Sequence, residues 1–393
     1  MERRSAPSSG YDQPVAKPTV MLIGLGQLGG ALLELLARES TLGRIVACSR
    51  RPERGEARCN LTRLGATAQG YSPRIDYLPL DLENTEQTAE LIDREAPDLV
   101  LSTATLQTWW LTDLLPNEPA AALKKAGFGG WLPVHLPLTL NLMRALREAE
   151  YPGVVLTAPF PDVVNNILER LDLAPTCGIG NIDEVVPKVR VLAAERLGAS
   201  PSEVRVILVA HHALQPMVFG ARRASVPPYY LRVHHQDRDV TEEVAADELL
   251  LAPYPLPGGP AWSWLTAGSA TRLVRSILAE EETHLHAPAP GGLPGGYPVV
   301  VGRGEARPDE IEGLSLEEAI AINESSHRFD GIEVIEADGT TVFTPETAEV
   351  MRRELGFDCR RLPPEEAADR GRELIQRFDD YARRHGVDLS RAM

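Results

Sequence analysis

The sequence predicts an α/β protein: a doubly wound parallel sheet in front and an α+β domain behind it. Three observations carry this expectation. Short apolar runs alternate with helical periodicities between residues 19 and 157, the pattern of strands joined by crossover helices. A G-x-G-x-x-G turn lies between the first apolar run and the first helix. At 393 residues, 43% hydrophobic and 24% charged, the chain is too long for one core and has the composition of a soluble globular protein.

Residues 1–17 are polar and rich in Pro and Ser, and are expected to form a flexible tail. Strands are then expected at 19–23, 44–48, 75–80, 98–102 and 153–157, with helices at 27–38, 85–95 and 139–148. Beyond Pro159 the alternation weakens. A helix at 182–196 is interrupted by Pro187, and 204–210 is a nearly all-apolar strand that ends at His211-His212. An antiparallel strand is expected within 229–239 and a long amphipathic helix over 264–280. A Gly- and Pro-rich loop at 287–296 then leads to a strand at 297–301. Asp338-Gly339 between 332–336 and 340–344 signals a hairpin, and helices at 345–355 and 364–385 close the chain. The expected domains are therefore 18–170 for a dinucleotide, 171–330 for catalysis and substrate, and 331–393 as a hairpin and helical extension.

The net charge is −16 with no long basic run, which argues against attraction to nucleic acid or an anionic membrane. No apolar run approaches the roughly 20 residues of a membrane span, and Arg3 and Arg4 precede no apolar stretch of a secretory signal. Cys48, Cys59, Cys177 and Cys359 are scattered, as befits reduced thiols, and the cytoplasm is the expected location. A small-molecule substrate and a homo-oligomer are expected, with neither nucleic acid nor membrane as partner.

In the turn Gly24-Leu25-Gly26-Gln27-Leu28-Gly29, Gly24 permits the tight bend and Gly26 lets backbone approach a pyrophosphate. Gly29 lets helix and strand pack closely, and the helix N-terminus receives the negative charge. This is a Rossmann-type cofactor site, completed by Thr103 and Ala104 after the fourth strand. An NAD-preferring site ends its second strand in Asp or Glu, whereas this chain has Ser49-Arg50-Arg51 there, which suits a 2′-phosphate. NADP rather than NAD is the expected cofactor.

Several stretches in order resemble the lactate and malate dehydrogenase family. They are Gly178-Ile-Gly180-Asn181-Ile182-Asp183, the strand ending in His211-His212-Ala213, the helix at 266–278 and the strand at 296–302. The resemblance implies that His212 exchanges a proton with substrate while Asp183 fixes its tautomer, with His211 as an alternative one residue away and Asn181 near the substrate. It implies an α+β catalytic domain of the lactate/malate dehydrogenase type.

The departures bear on the substrate. The family's carboxylate-clamping Arg is replaced by Val186, and no Arg occurs between Leu99 and Leu142. Lacking a bidentate clamp, the chain is expected to be an NADP-dependent oxidoreductase whose substrate is not a simple 2-hydroxy acid. Trp109 and Trp110 on the loop after the fourth strand suit an apolar or sugar-like body. Two other readings stand beside this one. Cys177 and His212 lie near the metal ligands of the distantly similar NAD-dependent family-four glycosidases, although no metal motif is present. A non-catalytic dinucleotide-binding protein is the other. A likeness of the first 110 residues to extended short-chain dehydrogenases fails on the missing Tyr-x-x-x-Lys pair.

Overall fold

The computed structural model describes residues 17–220 and 225–389, so nearly all of the expected tail lies outside the described residues. The first sheet holds six parallel strands: β1 (Thr19–Ile23), β2 (Arg44–Ser49), β3 (Ile75–Pro79), β4 (Leu99–Ser102), β5 (Val154–Thr157) and β6 (Cys177–Gly178). Their order is β3-β2-β1-β4-β5-β6. The connections reverse direction between β1 and β4, which opens a crevice at the carboxyl ends of these strands. Val20, Met21 and Leu22 of β1 and Leu99, Val100 and Leu101 of β4 are wholly buried, because helices cover both faces.

Those helices are α1 (Gln27–Leu36), α2 (Pro52–Ala68), α3 (Thr85–Glu95), α4 (Asn117–Lys124), α5 (Leu132–Glu148) and α6 (Pro161–Glu169). Periodicity of large apolar residues does not disclose α2, whose buried face is Gly55, Cys59, Thr62 and Ala66, a helical stripe of small and polar side chains. Helix α5 begins seven residues before the expected start and runs through Pro137. Pro137 has no N–H for the Pro133 carbonyl. That carbonyl instead faces Gly371, where a Cβ would come within 2.3 Å.

The second region comprises α7 (Ile182–Leu197), β7 (Val204–Val209), α8 (Gln215–Val218), β8 (Tyr230–His235), β9 (Arg238–Asp239), α9 (Ala246–Leu251) and α10 (Ser263–Ile277). It continues through β10 (Thr283–Pro288), β11 (Gly296–Gly302), β12 (Glu305–Pro308) and α11 (Leu316–Ser326). The strands form two three-stranded antiparallel sheets, β7-β8-β9 and β10-β11-β12, joined by a bridge between Ala210 and Gly296. Helix α7 is continuous through Pro187. The buried Lys188 beside it donates to the carbonyls of Val218, Leu250 and Ala252 at 2.6, 2.8 and 2.6 Å. Burial lowers its pKa to about 8, but three acceptors need the three hydrogens that only the ammonium carries.

The last segment holds β13 (Ile332–Ile335), β14 (Thr341–Phe343), α12 (Pro345–Leu355), β15 (Arg361–Leu362) and α13 (Ala367–Arg384). The expected hairpin forms, with Gly339 at φ +81° in its turn. The segment does not stand apart. Ile332, Phe343, Met351, Leu374 and Phe378 share one buried core with Leu132 and Leu136 of α5 and Val163 and Ile167 of α6. No helix among the described residues is long and apolar enough to cross a membrane.

Candidate functional site

At the carboxyl end of β1, Gly24 takes φ +92° and donates its N–H to the Cys48 carbonyl at 2.8 Å. Thr103 Oγ1 donates to the Gly24 carbonyl at 2.9 Å, tying the turn to the end of β4. A Cβ on Gly29 would lie 1.7 Å from the Gly24 carbonyl oxygen, so only glycine fits. Gly26, by contrast, has open space where a Cβ would go and caps α1 without a side-chain hydrogen bond. Gly26 and Gln27 are exposed, whereas Leu28 and Ala104 are partly covered. The turn therefore offers an unobstructed helix N-terminus, and these residues fit a pyrophosphate. At the end of β2, Ser49 Oγ lies 3.2 Å from Tyr77 Oη, while Arg50 and Arg51 are exposed.

Across the crevice, β7 ends at Val209, and His211 and His212 enter a 3-10 turn, so strand alternation does not separate the two rings. The structure does not bring Asp183 to His212. Asp183 lies in the first turn of α7, facing α10, and accepts from Ser269 Oγ at 2.6 Å and Arg272 Nη2 at 3.0 Å. Burial pushes its carboxyl up to about 6 against the pull of Arg272.

The carboxylate on His212 is Asp330, whose Oδ2 is 2.7 Å from His212 Nδ1. Asp330 ends a 3-10 turn after α11 and is held by close backbone packing. A Cβ on Gly127 or Gly129 would come within 2.6 or 2.5 Å of the Asp330 carbonyl oxygen. Between these glycines Phe128 turns its ring onto His212, with centroids 4.7 Å apart, and Phe160 meets the same imidazole at 5.2 Å.

A second carboxylate fixes the His212 backbone. Asp162, buried in the first turn of α6 just after β5, accepts from the His212 N–H at 2.6 Å and from Asn181 Nδ2 at 2.6 Å. Burial raises Asp162 to about 6, opposed by charge on His212 and by both bonds. For His212 itself burial disfavours the charged ring, but Asp330, Asp162 and Glu184 together outweigh it and the pKa is raised. Glu184 is buried and accepts from Trp262 Nε1 at 2.7 Å, Thr266 Oγ1 at 2.5 Å and Gln215.

With Nδ1 on Asp330, Nε2 of His212 meets no hydrogen-bond partner among the described residues, and the side chain keeps 11% of its surface exposed. That nitrogen is placed to exchange a proton with a bound molecule. His211 is fully buried, and its Nδ1 accepts the Ala213 N–H at 3.1 Å; burial and neighbouring His327 hold its pKa well below the ordinary value. Of the tryptophan pair, Trp109 is 43% exposed and Trp110 8%. Cys177 is buried in β6 and its thiol is pushed up to about 12, a poor state for a metal-binding thiolate. Val186 is buried in α7, and Lys124 is paired with Asp113 at 3.0 Å.

The sequence does not single out Asp330, Asp162 or Phe128 as site residues. Asp162 follows a parallel strand at its carboxyl end, a position that marks it for attention. Asp330 carries no local signal.

No protein-family model and no curated protein matches the sequence. Solved structures do share the fold. Malate dehydrogenase from Cryptosporidium parvum superposes with a TM-score of 0.55 at 15% identity, covering 80% of this chain and 98% of that one. Lactate dehydrogenase from Eimeria maxima, solved with NADH and oxamate, gives 0.54 at 13% identity over 79% and 91%. Malate dehydrogenase from Plasmodium falciparum in complex with NADH gives 0.52 at 15% identity over 79% and 96%. The chain has the lactate/malate dehydrogenase-like fold that its sequence resemblance implies.

Proposed function

We propose that the chain is a nicotinamide-dinucleotide-dependent oxidoreductase that interconverts an alcohol and a carbonyl compound, with His212 as its proton carrier. The observation that carries this reading is the His212–Asp330 pair, which leaves Nε2 as the available nitrogen beside the carboxyl end of β5. The fold shared with dehydrogenases supports it.

Gly24, Gly26, Gln27, Leu28, Gly29, Thr103 and Ala104 would hold the dinucleotide. Ser49, Arg50 and Arg51 favour the 2′-phosphate of NADP, and the NADH of two similar structures makes NAD the competing outcome. When bound, the nicotinamide supplies hydride acceptance and donation. In alcohol oxidation neutral His212 takes the hydroxyl proton at Nε2, and Asp330 stabilises the imidazolium through Nδ1. In reduction the same proton returns. Asp162 anchors the backbone that aims the ring, and Phe128 and Phe160 shield its faces from water.

The substrate is not a simple 2-hydroxy acid. Val186 offers no cation, Arg272 is held by Asp183 and Lys124 by Asp113. The test is oxidation of NADPH by a panel of carbonyl compounds. Turnover that is lost in His212→Asn with NADPH binding retained supports the proposal; undiminished turnover in that variant overturns it.

A further inference from the structure

Helices α7 and α10 bring two arginines to one carboxylate. Asp183 of α7 accepts from Ser269 Oγ at 2.6 Å and from Arg272 Nη2 at 3.0 Å, both on α10. Arg190 lies seven positions after Asp183, on the same face of α7, and its charge acts on both Asp183 and Arg272. It nevertheless makes no hydrogen bond and no ion pair among the described residues. The Nε atoms of Arg190 and Arg272 are both buried and without a hydrogen-bond partner. Nη hydrogens at a helix surface can turn to water, but a buried Nε–H cannot, and an unpaired buried donor carries a desolvation cost. Two such donors in one cluster point to an acceptor that both share.

The charge of that acceptor follows from its surroundings. Two guanidinium groups face one carboxylate, which leaves one positive charge without a counter-ion. Burial and then repulsion from Arg272 lower the Arg190 pKa, and burial with the charges of both arginines holds His286 of β10 at about 3. The neutral His286 ring accepts the Leu208 N–H at Nε2, 3.2 Å away, so it has no acceptor left to offer. The cluster is open to solvent on one side, since Arg272 keeps 32% of its side-chain surface exposed and Arg190 is half-buried. A carboxylate matches the fork of guanidinium N–H groups and carries the single charge that balances the cluster. A phosphate dianion would add a surplus negative charge beside Asp183, whose carboxyl burial already pushes up to about 6.

We propose that Arg190 and Arg272 form a binding site for a small organic monocarboxylate between α7 and α10, separate from the proton carrier. The arginines and Asp183 share no hydrogen bond with His212 or Asp162, so an acid held here is an effector and not the reacting molecule. Its occupancy ties together the two helices that meet again where Thr266 donates to Glu184 at 2.5 Å. The site stands whether or not the dehydrogenase reading holds.

The test uses acetate as the probe, titrated at constant ionic strength against chloride into the cofactor-free protein labelled with ¹⁵N-arginine. Two arginine Nε–H resonances are expected to move along one saturation curve in the wild type. Arg190→Gln removes one of them and should weaken acetate roughly tenfold or more. Because Arg190 makes no hydrogen bond, the variant should unfold at nearly the wild-type temperature; the wild-type titration decides the matter even where it does not. No arginine resonance that saturates with acetate, an affinity unchanged in Arg190→Gln, or phosphate bound more tightly than acetate overturns the proposal. Sedimentation with and without acetate separates a free acid from a side chain. An unchanged sedimentation coefficient supports the small molecule, and acetate-driven dissociation of an oligomer would give the site to a carboxylate of a second copy and overturn it.

Discussion

Asp330→Asn is the sharpest perturbation of the proposed proton carrier. The substitution keeps shape and removes the charge 2.7 Å from His212 Nδ1, in a side chain only 1% exposed. A charge-assisted bond of this kind contributes about 1.5–3 kcal/mol, which corresponds to a fall in the His212 pKa of about one to two units. Alcohol oxidation needs the neutral ring, so its low-pH limb should move to more acidic pH by that amount. The maximal rate should fall roughly 10²–10⁴-fold, because an amide can donate as well as accept and so no longer fixes the tautomer with Nε2 free, and it steadies the imidazolium less than a carboxylate does. The pKa is read directly from NMR of ring-labelled histidine, with His212→Asn assigning the resonance. Stability gives a second readout. His212 titrates above its ordinary 6.5 in the folded protein, so its contribution is complete below the unfolded value and disappears as pH rises through the folded one. In Asp330→Asn that pH dependence should weaken or change sign, because burial then opposes the charged ring with only Asp162 and Glu184 to favour it. A wild-type His212 that titrates below 6.5, or one indifferent to Asp330→Asn, would refute the reasoning.

Further outcomes are expected elsewhere. Gly29→Ala places a Cβ 1.7 Å from the Gly24 carbonyl and should destabilise by about 3 kcal/mol or more, seen in urea unfolding. Gly26→Ala meets open space and should keep stability within about 0.5 kcal/mol while weakening dinucleotide affinity in fluorescence titration. Arg50→Ala with Arg51→Ala should weaken NADPH by about 1.5–3 kcal/mol per charge-assisted bond lost and leave NADH nearly unchanged; equal loss of both would remove the case for NADP. Lys188→Met strands three buried carbonyls and should cost about 3 kcal/mol or more, measured by thermal and urea unfolding. Lactate and malate should be turned over poorly, and rates near 10–10³ per second for either would show a carboxylate clamp supplied by some other cation.

What could be read from the sequence was what local chemistry fixes. The Gly24–Gly29 turn and the alternation of β1 to β5 with their helices depend on neighbours close in the chain, and the apolar pattern reports them. Helix α2 escaped because its inner face is Gly55, Cys59, Thr62 and Ala66, which pack by being small rather than by being apolar. The start of α5 escaped because two prolines read as a break, whereas the carbonyl they free is met by Gly371, a partner more than 200 positions away. The His212 partner is the same kind of case. Asp183 has the sequence position that the family resemblance gives the partner, but Ser269 and Arg272 of α10 hold its carboxylate, and Asp330 arrives from 118 residues downstream. Long-range pairing of one carboxylate with one imidazole leaves no periodicity behind it.

The position of Asp330 also sets an order of events in time. A chain emerging from the ribosome has made the dinucleotide turn, both sheets of the second region and His212 before it reaches residue 330. The glycines at 127 and 129 that receive Asp330, and the α5 surface that receives α13, must wait for it. An incomplete chain ending near residue 315 would therefore carry the cofactor turn while lacking the carboxylate that readies His212. On the proposed reading, the proton carrier is among the later parts of the growing chain to be completed.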